Sequence, residues 1–430
     1  MKKFILMVCL VILSGCGPLA LSQVKIAQSS LERLLPSSAT QADVPVFTAG
    51  EQEFGFDLFR QLQNQPGNLL FSPHSLYLNL TMGYAGANTE TERQMASVLH
   101  VSLSPDRFHA TANALDQDLS SAGAKDSAFQ LSVANSLWAQ QDYAFESTFL
   151  DVLAQQYGTG IRLVNYMEDQ SRNQAVLAIN QWAFDQTRGK IKDLVAPQAL
   201  DFKTRLVLAS TVYFNAEWLE RFEPSHFGPD MFTLGDGSRV KVPFITSQRF
   251  DSKGHSMSTG RYPAYTYNNE VNVVEVPYKG GRVSFVALMP AENYSLAALE
   301  ASLTAEKLRT LLTFPPENYD LFVEMPKFSF DTPLEFSKSL AGMGMTDAFD
   351  DSKADFSGIS REHHIIISTV AQKTTIRVNE LGTEAASASY TGFVDVGMAY
   401  SIRLDHPFIF LIIDRPTGAI LFLGRLEDPR

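Results

Sequence analysis

The stretch of sequence that decides the fold lies near the C-terminus and reads Asn379-Glu-Leu-Gly-Thr-Glu-Ala-Ala-Ser-Ala-Ser-Tyr-Thr-Gly-Phe-Val-Asp-Val-Gly-Met-Ala-Tyr400. If this stretch is extended, successive side chains point to opposite faces. One face carries Thr383, Ala385, Ser387, Ser389, Thr391 and Phe393, of which all but the last are small and uncharged. No proline interrupts residues 380–400, so every residue there can donate a backbone hydrogen bond to a neighbouring strand. The pattern is that of a strand able to join a sheet, although a flexible linker rich in alanine and serine is the alternative.

Composition limits the classes of function. The chain has 430 residues, of which 45% are hydrophobic and 19% charged, as in ordinary globular proteins. Its formal charge of −12 argues against nucleic acid as a partner, because a polyphosphate must be neutralised by Lys and Arg. The two cysteines, Cys9 and Cys16, cannot form a disulfide framework, so stability must come from a large buried core.

The first residues have the features of a targeting segment. Lys2 and Lys3 precede the apolar run 4–13, which is too short for a typical membrane-spanning helix. The sequence Leu13-Ser-Gly-Cys16 resembles the bacterial lipobox, which implies that residues 1–15 are a signal peptide and that Cys16 carries lipid. Gly17 in place of Asp favours the outer membrane of the cell envelope. The alternative is an ordinary secretory signal in which the cysteine has no role.

Residues 16–49 are rich in Ser, Ala, Gln and Pro, which predicts a flexible tether between the lipid and the domain. Within it, residues 26–35 could form one short helix. The remaining residues, 50–430, contain no internal repeat and no second linker, so we expect a single domain.

The domain combines helical and extended patterns. Phe54, Leu58 and Leu62 have the spacing of an amphipathic helix, which should end at Pro66-Gly-Asn68. A second helical pattern runs through residues 175–183 and is closed by Gly189, whereas residues 205–214, 321–330 and 365–378 are predicted strands. Because these patterns neither alternate regularly nor consist of strands alone, the predicted class is α+β.

Motifs of common enzymes are absent from the sequence. We find no G-x-S-x-G, H-E-x-x-H, G-x-x-x-x-G-K-[ST] or C-x-x-C pattern. The sequence therefore predicts no catalytic residues, no metal site and no cofactor.

Six segments together resemble one family. Glu380-Leu-Gly-Thr-Glu-Ala-Ala-Ser-Ala-Ser389 resembles the reactive-loop hinge of the serpins. Five further segments resemble serpin landmarks and follow the family's order: Asn68-Leu-Leu-Phe-Ser-Pro-His-Ser75, Ile179-Asn-Gln-Trp-Ala-Phe-Asp-Gln-Thr-Arg-Gly-Lys-Ile191, Tyr213-Phe-Asn-Ala-Glu-Trp218, Met325-Pro-Lys327 and Asp405-His-Pro-Phe-Ile-Phe410. The resemblance spans residues 50–430 and implies three β-sheets, about nine helices and an exposed reactive loop at about 380–403.

The resemblance also implies a mechanism. A serpin inhibits serine, and secondarily cysteine, endopeptidases by offering its loop as bait. The cut loop inserts into the main sheet and traps the acyl-enzyme. The hinge residues that would enter the sheet are Glu380, Gly382, Thr383, Glu384, Ala385, Ala386, Ser387, Ala388 and Ser389.

The spacing of the family locates the bond to be cut. Counting fourteen residues from Gly382 gives 382 + 14 = 396, and counting eleven back from Pro407 gives 407 − 11 = 396. Both counts select the bond between Val396 and Gly397. A valine at this position suits elastase-like or subtilisin-like proteases. Other bonds that a protease could choose follow Phe393, Met398 or Tyr400.

A further implication concerns control of sheet opening. The positions implied are Ser72, Ser75, Ser210, Trp218, Lys327 and Gln372. Family members often carry Asn where Ser210 stands and His where Gln372 stands, and these residues hydrogen-bond to each other to control opening of the sheet. Ser and Gln can also form such a hydrogen bond. Glu380 and Lys327 match a family ion pair; as a surface pair it would contribute only about 0–1 kcal/mol.

The resemblance to serpins also has implications for the partners of the protein. The region corresponding to the heparin-binding helix, residues 89–95, has one Arg against two Glu, so no heparin-type activator is expected. We expect a monomer whose partners are a target protease and, through Cys16, a membrane. A non-inhibitory serpin that acts as a binding or carrier module is the alternative, although it should have a charged or proline-containing hinge. An unrelated surface enzyme or adhesin would need a cluster of catalytic or ligand-binding groups.

Overall fold

The computed structural model describes residues 24–125, 129–225, 228–250, 256–257, 264–314, 321–383 and 400–430. The α-helices in these ranges are α1 Ser38–Leu62, α2 Pro73–Tyr84, α3 Thr89–Val98, α4 Pro105–Lys125, α5 Ser147–Val152, α6 Asp169–Gln186, α7 Leu296–Ser302, α8 Ala305–Leu311 and α9 Ser337–Gly342. The strands are β1 Lys25–Ala27, β2 Leu69–Phe71, β3 Phe129–Gln140, β4 Ile161–Val164, β5 Leu206–Glu217, β6 Glu223–Pro224, β7 Asp230–Thr233, β8 Arg239–Val242, β9 Phe244–Thr246, β10 Arg249–Phe250, β11 Ser256–Met257, β12 Ala264–Tyr267, β13 Val271–Pro277, β14 Val283–Pro290, β15 Leu321–Pro326, β16 Phe328–Glu335, β17 Ile367–Val378, β18 Gly382–Thr383, β19 Tyr400–Arg403, β20 Phe408–Asp414 and β21 Ile420–Leu426. None of the helices in the described ranges is long and apolar enough to cross a bilayer.

Three sheets form the frame of the domain. The main sheet has seven strands in the order β1-β4-β3-β5-β18-β17-β16. A six-stranded sheet has the order β12-β13-β14-β20-β21-β2, and a four-stranded sheet has the order β19-β15-β9-β6. Two short ribbons, β7-β8 and β10-β11, complete the described strands. The predicted α+β class, with three principal sheets and about nine helices, is confirmed.

The centre of the main sheet is the pair β5 and β17. The two strands are parallel and pair directly from Ile367↔Leu206 to Thr374↔Val212. Beyond this point they separate, and the short strand β18 lies between them, antiparallel to both. The main sheet is thus closed along most of β5 and parted at one end.

Helix α2 lies against strands β3 and β5, and all of its residues are buried. It begins where the Ser72 hydroxyl accepts a hydrogen bond from the backbone N–H of Ser75, with Pro73 in the first turn, as is typical of helix starts. Helix α2 therefore lies beneath β3 and β5 in the main sheet.

The local patterns predicted from the sequence are present. Helix α1 contains Phe54, Leu58 and Leu62 as buried residues and ends before Gly67, which has a positive φ of 79°. The predicted strand at 321–330 is two strands in different sheets, β15 and β16, because the chain changes sheets at Lys327. That change of sheet places the Lys327 side chain at the parted end of the main sheet.

The prediction of a flexible tether over residues 16–49 is wrong for its described part. Lys25–Ala27 forms strand β1, which pairs antiparallel with β4 at the edge of the main sheet, and α1 already begins at Ser38. The short helix considered for residues 26–35 is also not formed. Without β1, strand β4 would expose a row of unpaired backbone groups, which sheet proteins normally cover.

The segment that follows β1 is also held by specific contacts. The Arg33 guanidinium donates to Asn113 Oδ1 at 2.8 Å and to Asp116 Oδ2 at 2.6 Å, and the N–H of Leu34 donates to the carbonyl of Gln155 at 2.9 Å. These partners lie about 80 to 120 residues away in sequence, so a composition typical of linkers could not reveal them.

Candidate functional site

The hinge begins inside the parted end of the main sheet. Gly382 pairs with Glu217 and Thr383 with Ala216 on β5, and Thr383 also pairs with Val378 on β17. Both hinge residues are buried. The loop therefore starts as the first residues of a strand that lies between β5 and β17.

Gly382 is required by close approach of two backbones. A β-carbon at this position would lie 1.9 Å from the carbonyl oxygen of Ala216, well inside contact distance. Glycine is the residue that permits such an approach. The hinge glycine therefore sets how closely the loop can enter beside β5.

Several predicted site residues lie outside the described residues. These are Cys16, Glu384, Ala385, Ala386, Ser387, Ala388, Ser389, Val396 and Gly397, together with the other cleavage positions Phe393 and Met398. Tyr400 is described, and it pairs with Leu321 as the first residue of β19. The loop predicted to extend to about 403 is thus corrected, because residues 400–403 form a strand and a bond after Tyr400 is held in a sheet.

Trp218 fastens the base of the hinge. Its indole N–H donates to the carbonyl of Asn379 at 2.8 Å, and its backbone N–H donates to the carbonyl of Leu381 at 2.9 Å. The indole stacks on Tyr278 with ring centroids 4.5 Å apart, and the Tyr278 hydroxyl lies 2.6 Å from Thr383 Oγ1. Burial raises the pKa of Tyr278, so the hydroxyl stays protonated and available for this hydrogen bond. One aromatic stack thus supports both sides of the hinge.

Lys327 and Glu380 meet at the same end of the sheet. Lys327 Nζ lies 2.9 Å from Glu380 Oε1, and the exposed fraction of the Glu380 side chain is only 7%. The second carboxylate oxygen is buried without a hydrogen-bond partner among the described residues. Because one member is buried, removing the lysine would leave an unpaired charge, so this is not an ordinary surface pair.

Gln372 joins the two central strands to the helix below them. Its Oε1 accepts from the N–H of Ser72 at 2.7 Å, and its Nε2 donates to the carbonyl of Ser72 at 3.2 Å and to Ser210 Oγ at 3.1 Å. All three residues are buried. Ser210 and Gln372, which stand where family members often have Asn and His, therefore do form a hydrogen-bonded latch.

The latch has two further hydrogen bonds. Ser75 Oγ donates to Asn135 Oδ1 on β3 at 3.0 Å, and Thr374 Oγ1 donates to the carbonyl of Leu70 at 2.7 Å. Together with Gln372 they connect strands β3, β5 and β17 to β2 and to the first turn of α2. Opening the sheet requires these bonds to break or exchange partners.

Sequence reasoning missed four residues of this site, namely Asn135, Thr374, Tyr278 and Asn379. A polar residue at an inward position of a buried strand was an available signal for Asn135 and Thr374, because buried polar groups need partners. No local pattern marks Tyr278, whose role depends on a stack with a residue from another strand.

A buried charged pair lies beneath the latch. His74 Nδ1 is 3.0 Å from Glu51 Oε2, and both side chains are almost fully buried. Burial lowers the pKa of His74, but the charge and hydrogen bond of Glu51 outweigh it, and the pKa is raised above 6.5. The other Glu51 oxygen accepts from the N–H of Ile420 at 3.1 Å. The first turn of α2 is thus tied to α1 and β21 by an interaction that depends on pH.

The arrangement is suited to receiving a strand. Within the described ranges no group of three or more His, Cys, Asp or Glu residues could hold a metal ion. An extended segment that adds to a sheet gains main-chain hydrogen bonds along its length. The parted strands, the hinge between them and the latch below form a slot of this kind.

The comparisons with known proteins agree with this geometry. The family described as Serpin (serine protease inhibitor) matches residues 49–429. The chain is 33% identical over 397 residues to a leukocyte elastase inhibitor of Sus scrofa, covering 89% of this chain and 99% of the relative. It is 34% identical over 382 residues to an uncharacterized serpin-like protein of Thermococcus kodakarensis, covering 88% and 84%. Among solved structures, the native thermophilic serpin tengpin superposes with a TM-score of 0.80 at 27% identity, covering 94% of this chain and all of that one.

The family match covers most of the chain, and the solved relative superposes on nearly the whole of it. Serpins are in general protease inhibitors rather than enzymes. The chain belongs to the serpin family of serine protease inhibitors.

Proposed function

We propose that this chain is a single-use inhibitor of serine endopeptidases with elastase-like or subtilisin-like specificity, and secondarily of cysteine endopeptidases. It would act as a monomer anchored in the cell envelope by lipid on Cys16, with the outer membrane favoured. The observation that carries the proposal is the parted end of the main sheet, where Gly382 and Thr383 already lie between β5 and β17.

The proposed reaction uses the protease's own chemistry. The protease serine attacks the carbonyl carbon of Val396, an ester bond forms, and the peptide bond to Gly397 breaks with a new amino terminus on Gly397. The cut loop is then free to continue the strand that β18 begins. Trapping requires this insertion to be faster than hydrolysis of the ester.

The energy for insertion comes from replacing one strand interface by two. Seven residue pairs join β5 and β17 directly, and these must part. An inserted strand would then pair with β5 on one side and β17 on the other, so the main sheet would gain one additional set of hydrogen bonds between strands. At roughly 0.5–1.5 kcal/mol net for each hydrogen bond, about ten additional bonds release on the order of 10 kcal/mol. This is comparable with the whole stability of a domain, so the uncut form is held kinetically.

The choice of target rests on Val396, since a small apolar side chain fits the narrow apolar pockets of elastase-like and subtilisin-like enzymes. One relative is named a leukocyte elastase inhibitor, which supports this class of target. The biological role we propose is protection of the cell envelope from secreted proteases. A deletion strain with no added sensitivity to any such protease would contradict that role.

The decisive experiment mixes the protein with an elastase-type protease and follows the products on denaturing gels. We expect a covalent band that survives the detergent and a released peptide that begins at Gly397, identified by mass spectrometry. Cleavage at this bond without a covalent band would mean that the chain behaves as a substrate. No cleavage would overturn the assignment of the bait.

A hinge variant separates insertion from recognition. The Thr383 side chain is only 2% exposed and contacts the Tyr278 hydroxyl. Thr383→Arg should therefore block entry of the hinge into the sheet while leaving the bond after Val396 accessible. We expect this variant to be cut without forming the covalent band. The matched control is Thr310→Arg on the exposed face of α8, which should inhibit like the unchanged chain.

A further inference from the structure

Strand β1 places the first described residues of the chain at one end of the main sheet. Lys25 pairs with Leu163 on β4, Leu163 pairs with Ala139 on β3, and Ala139 pairs with Leu206 on β5. Lys25 is therefore level with the first residue of β5. Because β1 runs antiparallel to β4, Val24, which precedes Lys25, also lies at this end of the sheet.

The hinge lies at the other end of the same strand. Gly382 pairs with Glu217, the last residue of β5. The two levels are 217 − 206 = 11 residues apart, which corresponds to about 36 Å along a strand. Val24 and the start of the reactive loop thus lie at opposite ends of the main sheet.

The end next to β1 exposes two large apolar side chains. Met167 follows β4 and is 51% exposed, and Phe202 precedes β5 and is 56% exposed. The Arg205 guanidinium joins them, since Nη1 lies 3.8 Å from Met167 Sδ and 2.9 Å from the carbonyl oxygen of Phe202. Lys203 Nζ is 5.9 Å from the centroid of the Phe202 ring. We call Met167, Phe202, Lys203 and Arg205 the basal surface.

The two chain segments that contain the basal surface differ in charge from the whole chain. Residues 166–172 and 201–205 have a net charge of zero, because they contain three acidic and three basic side chains, whereas the whole chain carries −12. The six charged residues are Glu168, Asp169, Asp201, Arg172, Lys203 and Arg205. The excess of negative charge therefore lies elsewhere. Exposed apolar side chains beside long cationic ones are typical of surfaces that lie at a membrane interface, where the stems are buried and the charges reach the headgroups.

The chain between Cys16 and the domain is short. Val24 packs against the buried cluster that includes Trp138 and Val164, so eight residue steps separate Cys16 from a fixed point (24 − 16 = 8). Fully extended they reach at most about 29 Å. This is less than the distance of about 36 Å between the two ends of β5.

From these observations we propose that the basal surface lies against the phospholipid bilayer and that the hinge points away from it. This orientation rests on the proposed lipid anchor at Cys16. It keeps the bait on the side of the domain that approaching proteases reach, and it leaves Met167 and Phe202 in contact with the interface.

The orientation can be measured with fluorescent probes at single cysteines. Both native cysteines, Cys9 and Cys16, lie in the first sixteen residues, so the acylated chain has no other thiol to label. The probe sites are Phe202→Cys on the basal surface and, as the matched control, Lys279→Cys. The Lys279 side chain is 57% exposed, and its N–H donates to the carbonyl of Glu217 at the hinge end. Met167→Cys serves as a second basal site if labelling at residue 202 perturbs folding.

The lipidated chain is placed in vesicles of equimolar phosphatidylcholine and phosphatidylglycerol, some of whose acyl chains carry bromine. We expect the bromines to quench the basal probe several-fold more strongly than the probe at residue 279. Equal quenching at the two sites, or stronger quenching at residue 279, would overturn the orientation.

Flotation of the same samples separates the possible failures. If the chain floats with the vesicles but the probes are quenched equally, only the orientation fails. If the chain does not float, or if Cys16→Ser floats as well as the unchanged protein, the lipid anchor fails and the orientation with it. Formation of the covalent protease complex, measured in the same sample, tests inhibition independently of both.

Discussion

The strongest test of the latch is the substitution Gln372→Ala. It removes three hydrogen bonds at once, two to the backbone of Ser72 and one to Ser210 Oγ. The carbonyl of Ser72 still accepts from the N–H of Leu76 at 3.1 Å, so it keeps a partner. The N–H of Ser72 loses its acceptor, Gln372 Oε1, and becomes a buried donor without a hydrogen bond.

The magnitude follows from these losses. An orphaned buried N–H costs about 1–3 kcal/mol, and loss of the hydrogen bond to Ser210 costs about 0.5–1.5 kcal/mol. The expected decrease in the free energy of unfolding is therefore about 2–4 kcal/mol. Ser210→Ala, which leaves both bonds to Ser72 intact, should cost only about 0.5–1.5 kcal/mol.

Urea unfolding of the uncut protein measures both effects. With a slope of about 3 kcal/mol per molar urea, Gln372→Ala should lower the midpoint by about 1 M, and Ser210→Ala should lower it by less than half as much. The matched control is Gln198→Ala, an exposed position where truncation should change stability by no more than about 0.5 kcal/mol.

Two results would refute the reasoning. A midpoint for Gln372→Ala equal to that of Gln198→Ala would show that the amide does not hold Ser72. An equal loss for Ser210→Ala and Gln372→Ala would mean that the contact between the two strands, not the contact with the helix start, carries the latch.

Three further substitutions are informative. Lys327→Ala should destabilise the uncut protein by about 1–3 kcal/mol, because it leaves the buried carboxylate of Glu380 without its ion-pair partner. Lys279→Ala removes an exposed ion pair at the same end of the sheet and should cost less than about 1 kcal/mol. Equal unfolding midpoints for the two variants would contradict the effect of burial. Gly382→Ala should expel the base of the hinge from the main sheet, since a β-carbon would overlap the backbone of β5. Limited proteolysis should then cut the hinge faster than in the unchanged chain. An unchanged digestion rate would contradict the position of Gly382 between β5 and β17. Because the pKa of His74 is raised, its pairing with Glu51 adds stability that is fully present below pH 6.5 and is lost as pH rises through the raised value. His74→Gln should therefore remove part of the fall in unfolding midpoint above pH 6.5, and the same pH profile in both proteins would show that this pair does not titrate there.

Some parts of the fold could be predicted because their signals are local. The spacing of Phe54, Leu58 and Leu62 predicted α1, and the turn at Gly67 follows it. The β-rich run before Trp218 predicted β5, whose register then defines the main sheet. In each case the residues that decide the structure are neighbours in sequence, so periodicity is sufficient.

The N-terminal segment could not be predicted in this way. Its polar composition is typical of a linker, and β1 is stabilised only because the edge of β4 is available to it. Arg33 adds contacts to α4 that lie more than 80 residues away. The error therefore came from treating composition as if it excluded docking on a distant strand.

The sequence by itself was sufficient to identify the family to which the chain belongs. The small residues of the hinge and the bond after Val396 stay predictions from the sequence. Only the tertiary structure decided how the latch is made, because Ser72 and Gln372 are 300 residues apart and meet at a buried hydrogen bond. It also decided that Lys327 lies beside Glu380 and that Lys25 lies at the end of the main sheet opposite the hinge. The physical reason is that side-chain periodicity reports which face of a segment is buried, whereas the partner of a buried polar group is chosen by the packing of whole strands and helices.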